Sequence, residues 1–451
     1  MAKLVAIGDS LTQGFHSLAI TNTEQSFPAI IARALGLGID QFRQPDFRGK
    51  GGLPCSIEWL ARRLEETYGA DLSTFEWIRA VHTITDCIDE VEDYWERGKG
   101  AQPTAKVDYH NLAVWGFEAG DALDIDAAMC AAKSADTKDN WFRPPSAPRY
   151  RTALNVLNPS RDAVRGADTQ VSIAERIARR DGGIDHLVLW LGANNCLRTV
   201  VELEVRETDD DPPGPGSDRT LWKPAAFEKD FVRVAARVAA IGAQHTYVAT
   251  VPHVTIPPIT RGVMANRGRL PDGHRYFDYY TRFSIHDKEF DPDRDPKLLK
   301  AQAQTIDGYI DQYNGIIRRE TKKYGWHLVD ICDVLDRLAV RRNHGKPSYA
   351  LPAPISDLSI RFLEIQASGS IKAGGLIGLD GVHPTACGYG IVAQEFINVM
   401  RAHEPTIADV DFDALRRSDT LVSYPPRTLN DMLGALRTLE KWFHISRWMK
   451  P

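Results

Sequence analysis

The chain has 451 residues, 43% of them hydrophobic and 25% charged, with a formal net charge of −5. That length can bury a large core, while the mild acidity leaves no electrostatic footprint for nucleic acid or an anionic membrane. No apolar run approaches the ~20 residues that a membrane-crossing helix needs.

In chain order, Leu4–Ile7 is a short apolar run that predicts a buried strand, and Gly8-Asp9-Ser10-Leu11 follows it directly. A cleaved leader would remove this segment, so the chain is expected without a secretory signal and in the cytoplasm. A helix is predicted over Ser26–Leu35. Ile57–Tyr68 and a second helix behind Ser73-Thr74-Phe75-Glu76 read as an inserted helical hairpin, the latter opened by a capping box. Further buried strands are predicted at Asn111–Val114, His186–Leu191, Thr246–Val251 and Trp326–Val329. Helices over Ala225–Ile241 and Leu298–Tyr324 separate the last three. Alternating strands and helices imply an α/β fold with a parallel sheet covered on both faces.

Large, mostly helical insertions fall at about 41–110, 120–185, 200–224, 255–297 and 335–375. They belong to one domain, 1–403, and 404–451 is a C-terminal helical extension expected to pack on it. The run Glu207–Asp218 is a solvated loop, rich in Pro, Gly and acid. The six cysteines lack CxxC or regular spacing, which fits buried reduced thiols rather than disulfides or zinc. Asp291–Asp295 resembles a calcium loop but lacks its central Gly and terminal Glu, so no metal is expected there.

Four motifs end predicted strands. Ser10, at a strand-to-helix turn, would sit at the carboxyl edge of the sheet, where open α/β folds bind ligands, with its amide free to meet an oxyanion. Gly116 closes Asn111-Leu112-Ala113-Val114-Trp115-Gly116 and permits close approach of backbone to substrate. Asn194 in Leu191-Gly192-Ala193-Asn194-Asn195 offers a side-chain amide donor. Asp380 and His383, three apart in Asp380-Gly381-Val382-His383-Pro384, can supply a base and the carboxylate that fixes its tautomer. Each alone suits a plain turn or cap. In order, they make a nucleophile, a base, an orienting acid and three oxyanion donors.

This ordered set resembles the GDSL/SGNH hydrolase family. The resemblance implies a three-layer α/β/α sandwich with a flavodoxin-like five-stranded parallel sheet. It makes Ser10 the nucleophile, His383 the base and Asp380 its partner, with the Ser10 amide, Gly116 and Asn194 as the oxyanion hole. Gln25-Ser26-Phe27-Pro28-Ala29 also looks like the family's first helix start. It implies hydrolysis of carboxylic esters through an acyl-enzyme without cofactor or metal, on short acyl esters, lysophospholipids, acetylated sugars or thioesters. Alternatives are an acyltransferase with a sugar or alcohol acceptor, and a non-catalytic ligand-binding relative. One departure is Asn195, where the family has Asp, so a supporting carboxylate is missing. Asp9 and the aromatics Tyr276, Phe277, Tyr279 and Tyr280 are candidate substrate contacts, and the 41–110 insertion is a candidate lid. For the aromatic loop and the insertion, the alternative is cladding or a homodimer contact.

Overall fold

The computed structural model describes residues 1–70, 74–135, 145–285, 287–361, 363–365 and 371–429. Strand β1 (Ala2–Gly8) is buried at nearly every position, as its unbroken apolar run requires of a strand covered on both faces. Asp9 then caps a single turn, α1 (Ser10–Gln13), by accepting the Leu11 amide, and Gly14 ends it in the left-handed region. Helix α2 (Phe27–Ala34) begins where Ser26 accepts the Ala29 amide and Pro28 occupies the first turn. The predicted hairpin forms as α3 (Ile57–Tyr68) and α4 (Thr74–Glu96), with Ile84, Ile88, Val91 and Trp95 buried on one stripe. Ser73, the predicted cap, lies outside the described residues.

Next come α5 (Pro148–Leu157), α6 (Gln170–Asp181), β2 (Ile184–Trp190), α7 (Asn194–Glu202), α8 (Pro224–Ile241) and β3 (His245–Ala249). The 255–297 insertion carries a three-stranded antiparallel sheet of β4 (Thr260–Val263), β5 (Tyr279–Arg282) and β6 (Lys297–Leu299). Helix α9 (Lys300–Lys323), β7 (His327–Val329), α10 (Ile331–Leu338) and α11 (Ala386–Met400) complete the core, and α12 (Phe412–Ser418) lies in the extension.

The main sheet is parallel and four-stranded, in the order β1-β2-β3-β7. The strand expected at Asn111–Val114 is instead an extended segment beside β1. It makes the ladder bonds Leu112 N to Ala6 O and Val114 N to Gly8 O, with a bridge at Ala6–Asn111. The Asn111 side chain bends it by accepting the Ala113 amide while donating to the Thr12 carbonyl. A polar side chain that bonds its own backbone competes with regular pairing.

On one face, Phe27 of α2, Phe396 of α11 and Trp190 of β2 pack together, with Phe27 and Phe396 stacked at 4.8 Å. His186 shares Trp190's face of β2, two residues being one strand period. It meets Glu404, just past α11, at 3.0 Å. Helix α8 packs against α6 and α9, and Phe227 stacks on Tyr313 at 4.2 Å. All six cysteines are buried and free. Among the described residues no helix is long and apolar enough to cross a membrane. The helical extension expected over 404–451 falls, beyond Leu429, outside the described residues.

Candidate active site

Gly8 ends β1 where a side chain could not fit: an added Cβ would lie 2.7 Å from the Trp190 carbonyl and closer still to Thr12. The chain therefore turns tightly, and Ser10 reaches the carboxyl edge of the sheet as the first residue of α1. At the other end of the domain, the turn before α11 brings in Asp380 and His383. The His383 Nε2 lies 2.9 Å from Ser10 Oγ, and its Nδ1 lies 3.1 Å from Asp380 Oδ2. All three side chains are buried. His383 can therefore take the Ser10 proton while Asp380 fixes its tautomer.

Burial alone would raise the Asp380 pKa. The adjoining His383 imidazole and the amides of His383 and Val382 outweigh it and leave the carboxyl below its usual range. Asp380 Oδ1 accepts the Val382 and His383 amides, and Oδ2 accepts the Leu18 amide at 3.1 Å. That last donor was not legible in the sequence. Ser17 and Leu18 adopt positive φ, 51° and 69°, which non-glycine residues visit only at a cost of about 1–3 kcal/mol each. The turn aims the Leu18 amide at Asp380, and Ser17 Oγ accepts the Leu379 amide at 3.1 Å.

Gly116 has φ +76°, and a Cβ there would lie 2.9 Å from the Arg149 side chain. Arg149 of α5, fully buried, donates to the Gly116 carbonyl at 3.1 Å, which faces the peptide carbonyl away from the cleft. Among the described residues no acceptor meets the backbone amides of Ser10 or Gly116. Asn194 opens α7, and one of its amide hydrogens goes to the Phe117 carbonyl at 2.9 Å, leaving the other for the cleft. Ser10, Gly116, Asn194 and His383 line one small cleft. Asn195, where a carboxylate was expected to be missed, takes the Ala119 amide through its own side-chain oxygen at 3.1 Å.

Ser10 stands between two different spaces. One is that cleft, of about 40 Å³, whose wall includes Glu118, Arg198 and Glu202. The other is an apolar pocket of about 90 Å³, lined by Leu197, Val254, Leu335, Ile360 and Ile391 among others, and also open to His383. Arg198 and Glu202 lie one and two turns after Asn194, on the same face of α7, so helical spacing from the motif could have found them. Glu118 donates no such signal. Burial pushes its pKa up to about 8, with the Asp121 carboxylate adding to the rise and Arg149 opposing it. Its carboxylate accepts the Trp222 indole N–H at 3.0 Å.

The aromatic loop is elsewhere. Tyr276 donates its hydroxyl to Asp307, Tyr279 packs on Phe290, and Phe277 and Tyr280 line a separate cavity of about 510 Å³. None of the four lines the cleft or the apolar pocket at Ser10. The insertion folds as its own small sheet against α9, and this pairing turns the rings away from Ser10. Among the described residues, none of 41–110 lines either space at Ser10. Asp9 is buried under α1, not exposed to a ligand, and burial raises its pKa to about 7 against the pull of the Leu11 amide and His383. The calcium-like run is closed by its own contacts: Arg294 pairs with Asp291 at 2.6 Å.

A hydrogen-bonded Ser-His-Asp row at the carboxyl edge of a parallel α/β sheet is an arrangement that serine hydrolases use. The chain belongs to the GDSL-like lipase/acylhydrolase family, which it matches over residues 4–396. No curated protein matches it in sequence. Among solved structures it is similar to LAE5, an alpha/beta hydrolase enzyme from the metagenome of Lake Arreo, Spain. The two are 16% identical over 51% of this chain and 66% of that one, with a TM-score of 0.25.

Proposed function

We propose that this hydrolase cleaves small carboxylic esters through an acyl-enzyme on Ser10. The observation that carries the proposal is the 2.9 Å contact of Ser10 Oγ with a His383 whose other nitrogen is held by Asp380. His383 takes the hydroxyl proton as Ser10 attacks the ester carbonyl, then returns it to the departing alcohol. The oxyanion meets the amides of Ser10 and Gly116 and the free hydrogen of Asn194. Water activated by His383 then releases the acid. These steps use side chains and backbone alone. Counting the 111–114 segment as a fifth strand gives the flavodoxin-like sheet that accompanies this chemistry, within a hydrolase domain of 1–403 that 404–451 extends.

The acyl group belongs in the apolar pocket and the alcohol in the charged cleft. At about 90 Å³ the pocket is smaller than the ~150 Å³ cavity that holds a benzene, so it suits acyl chains of a few carbons. A panel of nitrophenyl esters from acetate to palmitate tests both parts. Turnover should peak at the short esters and vanish in Ser10→Ala. Equal rates for the two proteins would remove Ser10 from the mechanism, and a palmitate optimum would remove the pocket assignment.

A further inference from the structure

The opposite edge of the sheet carries three imidazoles that the hydrolase reading does not use. His245 opens β3, His327 opens β7, and His403 lies just past the end of α11. The ring of His403 lies 4.1 Å from that of His245 and 4.4 Å from that of His327, centroid to centroid. One nitrogen from each ring falls within 4.8 Å of the other two. Among the described residues, none of these nitrogens has a hydrogen-bond partner.

Two other groups of similar composition are already filled by charge. Asp185, His186 and Glu404 surround the Lys3 ammonium, which is 2.6 Å from Asp185 and also paired with Glu404. His253, beside Cys332, has one nitrogen 2.8 Å from Asp336 and the other 3.2 Å from Asp311. Among the described residues, the trio alone presents several uncommitted imidazoles to one point.

We propose that His245, His327 and His403 bind one divalent transition-metal ion, zinc foremost. Imidazole nitrogens suit zinc, nickel and copper rather than magnesium or calcium. Zinc–nitrogen bonds of 2.0–2.1 Å in a tetrahedron put ligand nitrogens about 3.3 Å apart. Closing the trio to that spacing needs a turn of His403, which is exposed and free to make it. Water fills the fourth position. The ion would tie the end of α11 to two strands of the sheet, at the edge away from Ser10, so it acts on stability and not on ester turnover.

The test uses full-length protein free of any histidine tag, with zinc titrated against a chromophoric chelator and cobalt(II) as a visible-absorption probe. Wild type should take up one equivalent of zinc, raise its melting temperature by roughly 3 °C in excess metal, and give a tetrahedral cobalt spectrum. His403→Gln and His327→Gln should weaken binding at least tenfold and lose the thermal shift, with ester turnover unchanged. Cys332→Ser, or Asp336→Asn if the former does not fold, should keep both. No stoichiometric uptake by wild type, uptake retained in His403→Gln, or uptake lost with the His253 group would each overturn the proposal. Because these readouts do not depend on turnover, failure here and failure of the esterase reading are separable.

Discussion

Both edges of the central sheet carry histidines, and they differ in what the ring nitrogens face. At the carboxyl edge, His383 spends one nitrogen on Asp380 and the other on Ser10, so its orientation and tautomer are fixed. At the amino edge, His245, His327 and His403 face chiefly one another. A histidine between an acid and a hydroxyl is poised for proton transfer; histidines whose ring nitrogens converge with no acid bonded to them are suited to a metal. Position on the sheet therefore separates two chemistries built from one residue type.

Substitutions at the carboxyl edge should move turnover and leave zinc uptake intact, which is how the comparison can be broken. Ser10→Ala should cost about 10⁴–10⁶ in kcat, and adding His383→Ala should cost little more, because the pair acts as a unit. Steady-state rates of the single and double variants check this. Asp380→Asn should lower kcat by about 10⁴ while Ser10 and His383 stay in place, since the tautomer is lost. Arg149→Met should destabilise the fold by about 3–5 kcal/mol, read from urea unfolding, because Asp121 at 3.6 Å would lose its buried cation and the Gly116 carbonyl its donor. Asn194→Ala should lower kcat by about 10²–10³ with KM little changed; a change confined to KM would remove it from the oxyanion hole.

A pH effect on stability sharpens the picture of Asp9. Its folded pKa of about 7 lies above the ~3.9 of an unfolded chain, so the folded state holds a proton that the unfolded state has released between those values. Unfolding free energy should then fall as pH rises from about 4 to about 7. Asp9→Asn should flatten this slope in melts taken across that range, while the similar slopes from Glu118, Asp121 and Asp230 remain.

The strands and the row of Ser10, Asp380 and His383 were legible because each rests on local pattern. Apolar runs mark β1, β2 and β3, and the first three motifs follow strands or a strand-like segment within a few residues. What was not legible depends on distant partners. The Asn111 side chain, not its apolar neighbours, decides that 111–114 is not a regular strand. The Leu18 amide reaches Asp380 through a backbone turn that no residue type there announces. The aromatics at 276–280 looked like a ligand wall, yet pairing within their own insertion decides which way they point. Asn195 stands where the resemblance implies Asp, and only the fold reveals that its amide oxygen accepts the Ala119 amide.

The contact between Ser10 and His383 spans 373 residues of chain. Ser10 is synthesised 373 residues before His383. A nascent or truncated chain that stops before Asp380 carries β1 and Ser10 but not the imidazole that contacts its hydroxyl. Under the proposed mechanism, ester cleavage is withheld until the segment that carries His383 has been made and docked, a closure whose entropic cost grows with the length of the intervening chain. Under that mechanism, activity doubles as a report that these two distant segments have met.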